Sequence, residues 1–377
     1  MGKLLNNINK ILLLFVTAVV ILGMKNPAQK PVVIGYVTGF NGLVNQETID
    51  ATQLTHINYA FVNIKDNKAF LDNEARDVEN FKRLNTLKQK NPALQILISI
   101  GGWSWSENFS DAVLTPALRK DFAVSAVDII RKHKLDGVDI DWEYPGIPGE
   151  EGNVYRTEDK ENFTLMFEAL RKELDILEKE TGKKKLLTTA TGGFASFLNQ
   201  TDMGKAQVYL DYINLMTYDY HPSKIAVHHT NLYDSKLNLS QNSADKAIKA
   251  YMAAGVPSSK IVIGLAFYGR NYKVQANAQK GLGDSIVRGP NSYGRGFTFM
   301  KDSLINQKGF IAYRDEEAKA SYMFNADTKQ FISYDDEWSV ANKCAYVLEH
   351  KLGGVMFWEY HSDRKGYLLN QITKSFK

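Results

Sequence analysis

The stretch Leu135-Asp136-Gly137-Val138-Asp139-Ile140-Asp141-Trp142-Glu143-Tyr144-Pro145 decides how this chain is read. Val138, Ile140 and Trp142 alternate with Asp139, Asp141 and Glu143, and residues two apart in a strand point to the same face. One face is oily and the other carries three carboxyl groups in a row. The apolar flanks and the Tyr144-Pro145 stop fit an internal strand ending in a loop better than an edge strand with a solvated acidic face. Three carboxylates in a desolvated site cannot all ionise cheaply, so protons are shared and at least one pKa rises. A carboxylic acid kept protonated near neutral pH is a general acid. The stretch reads as an active site.

Working outward, short β-branched runs alternate with longer helical patterns from Pro31 onward, the sign of repeated βα units and a parallel sheet. The runs are Val32–Val37, His56–Val62, Gln95–Ile100, Gly137–Asp141, Lys185–Thr191, Tyr212–Thr217, Ile261–Ala266 and Gly354–Trp358. Helices are expected at Arg76–Gln89, Pro116–His133, Glu158–Glu180 and Ser243–Ala254, with Pro116 in a first turn and Gly182 and Gly255 as stops. The fold class is α/β, a (β/α)8 TIM barrel. The interval between the seventh and eighth runs is far longer than one loop and helix need. Its Gly- and Pro-rich turns (Gly281-Leu282-Gly283, Gly289-Pro290, Gly294-Arg295-Gly296) and its aromatic runs (Phe310–Tyr313, Ser321–Phe324, Gln330–Tyr334) predict a small α+β insertion over 271–333. The helix Glu337–Lys351 would then lead back to the barrel. The barrel itself takes 31–270 and 334–377.

Composition narrows the classes. A chain of 377 residues with 44% hydrophobic content suits one large barrel with an insertion. The net charge of +4, from 46 basic and 42 acidic residues, predicts no nucleic-acid partner. The single cysteine, Cys344, excludes an internal disulfide and a cysteine zinc site; it reads as a buried core thiol in a helix. At the N-terminus, Lys3 and Lys10 precede an apolar run from Ile11 to Leu22, too short to span a bilayer comfortably. Residues 1–24 are expected to be a signal peptide. Because no clean small-x-small triplet follows, an uncleaved membrane anchor is the alternative. Asn6 in place of Ser or Thr discounts myristoylation at Gly2. Both readings place the protein outside the cytoplasm.

Barrel enzymes build their sites at the C-terminal ends of the strands. Here these offer Tyr36, then Tyr59 and Phe61, then Ser99-Ile100-Gly101-Gly102-Trp103, then the acidic stretch. Further on come Met216-Thr217-Tyr218-Asp219, Phe267-Tyr268-Gly269-Arg270 and Phe357-Trp358-Glu359. Aromatic rings at nearly every strand end suit a sugar cleft, because pyranose rings present flat C–H faces. Each ring alone would pass as a core residue; together they point to function.

The pattern D-x-x-D-x-D-x-E, filled by Asp136, Asp139, Asp141 and Glu143, resembles the signature of family 18 glycoside hydrolases, the chitinases. Ser99-x-Gly101-Gly102, Met216-Thr217-Tyr218-Asp219, Tyr268-Gly269-Arg270 and Trp358 match the family's motifs on the third, sixth, seventh and eighth strands. The insertion matches its deep-cleft subfamily. The resemblance implies a chitin or chitooligosaccharide substrate, and a monomer without cofactor or metal is expected. It further implies that Glu143 is the general acid and then base, and that Asp141 orients the substrate's N-acetyl group while sharing a proton with Asp139. Asp136 would be structural, as would Ser99, Gly101 and Gly102. Tyr218 would donate to the N-acetyl carbonyl, and Asp219 and Arg270 would bind sugar hydroxyls. Trp358 would floor the subsite of the cleaved sugar with Trp103 stacking nearby, and Tyr36, Phe61, Met216 and Tyr268 would line the pocket.

The mechanism has a physical reason. Most retaining glycosidases place a nucleophilic carboxylate roughly 5–5.5 Å from the acid, with substrate assistance as the exception. Asp141 and Glu143 approach from the same side, so Asp141 is poorly placed for backside attack. The 2-acetamido oxygen can attack instead, giving an oxazolinium ion. Rival readings are weaker. There is no H-E-x-x-H, and His228-His229 would point apart on a strand. A lectin of the same fold would replace Glu143, which is intact. An endo-β-N-acetylglucosaminidase acting on N-glycans is the nearer alternative; Trp142-Glu143-Tyr144-Pro145 and the insertion favour chitin.

Overall fold

The computed structural model describes residues 30–220, 224–238, 242–288 and 295–377. The signal or anchor expected at residues 1–24 lies outside them, as do the Gly289-Pro290 turn and Gly294. The body of the fold spans Pro31–Lys377. Among the described residues no helix is long and apolar enough to cross a membrane.

Eight parallel strands close into a barrel: β1 Val32–Thr38, β2 His56–Lys65, β4 Gln95–Gly101, β5 Gly137–Asp141, β6 Leu186–Gly192, β7 Tyr212–Met216, β8 Ile261–Ala266 and β14 Gly354–Trp358. Each pairs with the next, and β14 returns to pair with β1. A short antiparallel strand, β3 Lys68–Phe70, extends β2 as a hairpin. The eight expected runs lie within a few residues of these bounds, because a strand buried on both faces is written as a compact apolar run. Outward side chains such as Val138, Ile140 and Trp142 are buried against the surrounding helices. Trp142 stacks on Phe109 with centroids 5.1 Å apart. The inward cluster is smaller: Val32, Ile34, Tyr36, Ala60, Val262 and Met356, with Phe61, Met216, Tyr218 and Trp358 packed on it.

The helices start and stop where the sequence says they should. In Pro116–His133, the Thr115 side chain caps the first turn and Lys134 closes the end in the left-handed region. Asp159–Thr181 ends at Gly182, φ 66, a conformation that glycine adopts without penalty.

Between β8 and β14 lies a second sheet of five antiparallel strands. They are β9 Gly269–Val274, β10 Ile286–Arg288, β11 Phe310–Asp315, β12 Ala320–Asn325 and β13 Gln330–Tyr334, in the order β10-β9-β13-β12-β11. Its first and last long strands are paired, Gly269 with Tyr334, so the chain leaves the barrel and returns to it side by side. Tyr272, Val274, Tyr322, Phe324 and Phe331 form its own small core. The junction is pinned by a fully buried ion pair, Lys343 Nζ to Asp335 Oδ2 at 2.7 Å. Asp335 also accepts the Ala266 backbone N–H at 3.0 Å and the Ser339 hydroxyl at 2.7 Å. Lys343 belongs to the helix Glu337–Glu349, which also buries Cys344.

One expectation is corrected here. His228 and His229 lie outside any strand. Both are buried, and they do face different partners: Asp315 at 3.2 Å and Asp219 at 3.4 Å. A segment pressed between the barrel and the second sheet buries consecutive side chains without a strand's alternation.

Candidate active site

The acidic row occupies the end of β5, where Asp139, Asp141 and Glu143 are all buried. Asp139 lies deepest. Its Oδ2 accepts the Tyr36 hydroxyl at 2.9 Å and the Ser99 hydroxyl at 2.7 Å; its Oδ1 accepts Thr188 Oγ1 at 2.5 Å and Asn214 Nδ2 at 3.2 Å. Four neutral donors from four strands surround the carboxyl. Burial pushes its pKa up, and the hydroxyl donors pull against that. Asp141 has no such shell. Its Oδ1 is buried without a hydrogen-bond partner, and burial together with Glu143 and Asp139 holds its pKa well above the usual carboxylate range.

Glu143 stands at the mouth of the row. Burial raises its pKa to about 7, with the Tyr144 hydroxyl opposing and the Asp219 carboxylate adding to the rise. That keeps a proton available near neutrality, as a general acid requires. Its backbone is fixed from both sides. The N–H donates to Ser106 Oγ at 2.9 Å, and the carbonyl accepts Asn153 Nδ2 at 3.1 Å. Ser106 in turn donates to the carbonyls of Gly102 and Asp141. The two glycines of the β4 motif are explained by close approach. A Cβ on Gly101 would lie 2.3 Å from the Asp141 carbonyl oxygen, and one on Gly102 2.6 Å from the Phe61 ring. Both have positive φ, +105 and +83, where a side chain is strained. Asp136 sits at the opposite end of β5, accepting from Lys88 Nζ and from the Ile96 N–H at 2.8 Å. It anchors the strand start and is remote from the row.

The other strand ends converge on the same mouth. Trp358 at the end of β14 is half-buried. One face of its indole is stacked on Phe61, centroids 5.4 Å apart, and Tyr36 supports it at 5.7 Å. Its Nε1 is buried without a hydrogen-bond partner. Met216 and Tyr218 at the end of β7 are half-buried beside it, and the Tyr218 hydroxyl contacts Met356 Sδ at 3.7 Å. Arg270 of β9 grips Asp219 through both carboxylate oxygens, with Nε to Oδ1 at 2.6 Å. Although burial alone would raise the Asp219 pKa, His229 and Arg270 bring it below the ordinary value. Three non-proline cis peptides, Ala60–Phe61, Glu143–Tyr144 and Trp358–Glu359, lie at these strand ends.

Three expected positions need restating. Tyr36 and Tyr268 are buried, 2% and 0% exposed, and present no ring face to a ligand. Tyr36 holds Asp139 and Trp358; Tyr268 packs against Tyr218 and the Arg270 guanidinium. Trp103 is 48% exposed and meets Tyr144 edge-on, centroids 6.3 Å apart, at the outer rim of the mouth. Other participants escaped the sequence: Thr188 and Asn214 around Asp139, Ser106 and Asn153 around Glu143, Tyr144, and His229 at Asp219. The signal for two of them was present. Thr188 pairs with Asp139 in register and Asn214 is the middle residue of β7, both polar on inward positions. Among the described residues no three His, Cys, Asp or Glu side chains are grouped to hold a metal.

The chain as a whole resembles known proteins. The chain is 42% identical over 307 residues to chitinase A1 of Niallia circulans, a match covering 78% of this chain and 44% of that protein. It overlays a family 18 N-acetylglucosaminidase from Paenibacillus barengoltzii with a TM-score of 0.84 at 41% identity, covering 92% of this chain and 99% of the other. Chitinase ChiW from Paenibacillus sp. str. FPU-7 overlays with a TM-score of 0.85 at 38% identity, over 92% of this chain and 33% of its own. The model of the family described as glycosyl hydrolases family 18 matches residues 32–363, and the chain belongs to that family.

Proposed function

We propose that this protein hydrolyses β-1,4 linkages between N-acetylglucosamine units of chitin or chitooligosaccharides, with retention and with the substrate's own acetamide as nucleophile. The observation that carries the reading is a pair of buried, unpartnered atoms at one mouth, the Asp141 Oδ1 acceptor and the Trp358 Nε1 donor. Orphaned buried polar groups are costly and call for a ligand that completes them. An N-acetylglucosamine unit supplies both: its amide N–H for Asp141 and an oxygen for the indole N–H. Phe61 covers one face of Trp358, and the other receives the sugar ring.

Glu143 protonates the glycosidic oxygen as the bond to the leaving sugar breaks. The acetamido oxygen attacks the anomeric carbon from the opposite face and closes an oxazolinium ring. Asp141 accepts the amide N–H and balances the positive charge that develops on that nitrogen. Tyr218 donates to the acetamide oxygen and aims it. Glu143, now a carboxylate, takes a proton from water, which opens the ring and restores the acid. Asp139, next in the row, shares a proton with Asp141 and takes it up as that charge develops, so that Asp141 meets it as a carboxylate.

The test is proton NMR of the first product from a partially acetylated polymer. Early β-anomer with N-acetylglucosamine at the new reducing end is expected, and fully deacetylated polymer should be inert. Early α-anomer, or glucosamine at that end, rejects the mechanism. The kinship with an N-acetylglucosaminidase supports a second reading, release of single units from chain ends. Time-resolved product lengths from a defined hexamer separate the two.

A further inference from the structure

Asp219 stands just past β7 in the left-handed region, φ 58, a conformation that aspartate tolerates better than most residues. Two side chains address its carboxylate. Arg270 of β9 holds both oxygens, and His229 Nδ1 lies 3.4 Å from Oδ1. The His229 ring is fully buried, and beyond this contact neither ring nitrogen has a hydrogen-bond partner among the described residues. Its polarity is therefore directed at Asp219. The backbone of His229 is fixed on both sides: its N–H donates to Ser333 Oγ at 3.0 Å, and its carbonyl accepts the Tyr220 N–H at 3.2 Å. Ser333 of β13 is the register partner of Arg270. Adjacent positions on two paired strands of the second sheet thus govern both groups that grip Asp219.

We propose that His229 is a positioning residue through which the second sheet holds the Asp219 carboxylate in place beside Glu143, an inference that rests on the reading of Glu143 as the acid. The groups facing His229 are Asp219, Arg270, Asp335 and the Tyr268 ring, 5.4 Å away. Burial lowers the His229 pKa, against the pull of Asp219, and a neutral ring carrying its proton on Nδ1 aims that proton at the carboxylate 3.4 Å away. The negative charge so fixed adds to the raised pKa of Glu143. Without the donor, Asp219 pivots on Arg270 and its field at Glu143 weakens. Any proton it gains acts in the same direction, so the Glu143 pKa must fall.

The experiment compares wild type, His229→Phe and His229→Gln, the last restoring a donor. Carbon-13 NMR of glutamate carboxyls, with Glu143 assigned through Glu143→Gln, reads its titration without needing activity. The midpoint should fall by about half a pH unit in His229→Phe and return in His229→Gln. The basic limb of kcat/KM on a chitooligosaccharide should move with it, and kcat should drop roughly tenfold, as small misplacements in active sites cause. An unmoved Glu143 midpoint in folded His229→Phe overturns the proposal. If that variant does not fold, Ser333→Ala frees the His229 backbone and keeps the ring. A smaller fall is then expected, and no fall overturns the proposal equally. Should wild type fail to cleave any N-acetylglucosamine oligomer, the proposed function fails, while the NMR titration still decides the role of His229.

Discussion

At the scale of single residues, the acidic row assigns unlike duties to like side chains by changing what surrounds them. Asp139 is filled by four donors, Asp141 keeps an unpartnered oxygen, and Glu143 holds a proton to about pH 7. Glutamine at 143 keeps the shape and cannot deliver a proton. Glu143→Gln should therefore bind chitooligosaccharides with near wild-type affinity while kcat falls by at least about a thousandfold, the scale of general acid catalysis. Steady-state kinetics beside calorimetry checks both halves; activity above a tenth of wild type would move the acid elsewhere. Trp358 makes a separate claim. Since Phe61 already covers one of its faces, truncation removes a platform. In the Glu143→Gln background, Trp358→Ala should weaken oligosaccharide binding by about 1–3 kcal/mol, the burial value of a large side chain. Equal affinities would make the indole a core residue.

At the scale of elements, the second sheet is joined to the barrel by the Lys343–Asp335 pair, buried to 0% on both sides. Breaking such a pair strands a charge in a dry site, at about 3–5 kcal/mol. Lys343→Ala should lower the melting temperature and loosen amide exchange first in β13 and the helix Glu337–Glu349. A variant melting with wild type would show that the junction is held by packing instead. How far these elements could be read from the sequence follows from the range of the forces that form them. The barrel strands were legible because a strand buried on both faces leaves a local apolar run, and Gly137–Asp141 and Gly354–Trp358 were read to the residue. The row on β5 was legible because alternation is also local. The shell around Asp139 was not, since Tyr36, Ser99, Thr188 and Asn214 come from four strands and meet only through register. For the same reason the aromatic runs of the second sheet announced strands, yet not the order that places β9 beside β13. The role of His229 at Asp219 was hidden. Two adjacent buried histidines in a segment outside any strand carry no periodicity to read.

At the scale of the whole molecule, the site should cost the fold stability in a defined pH window. Glu143 binds its proton more tightly in the folded state, with the pKa moved from 4.5 to about 7; burial also raises Asp139 and Asp141. A carboxyl whose folded pKa lies above its unfolded value favours the fold at low pH, and that contribution is lost as pH rises between the two values. Asp219 and Asp315 run the other way. Their folded pKa values are depressed, Asp315 to about 2, so their contribution is present above the unfolded value and lost as pH falls through the folded one. The two trends meet in mildly acidic solution, where stability should peak before declining towards pH 8. Glutamine at 143 removes one titration from the descending limb. Glu143→Gln should therefore be no more stable than wild type at pH 4 and more stable at pH 8, by on the order of 2–3 kcal/mol. Melting curves of both proteins from pH 4 to 8 check this. An offset that stays constant across the range would mean that the substitution acts through packing, and that the acid holds no proton in the folded state beyond its ordinary range.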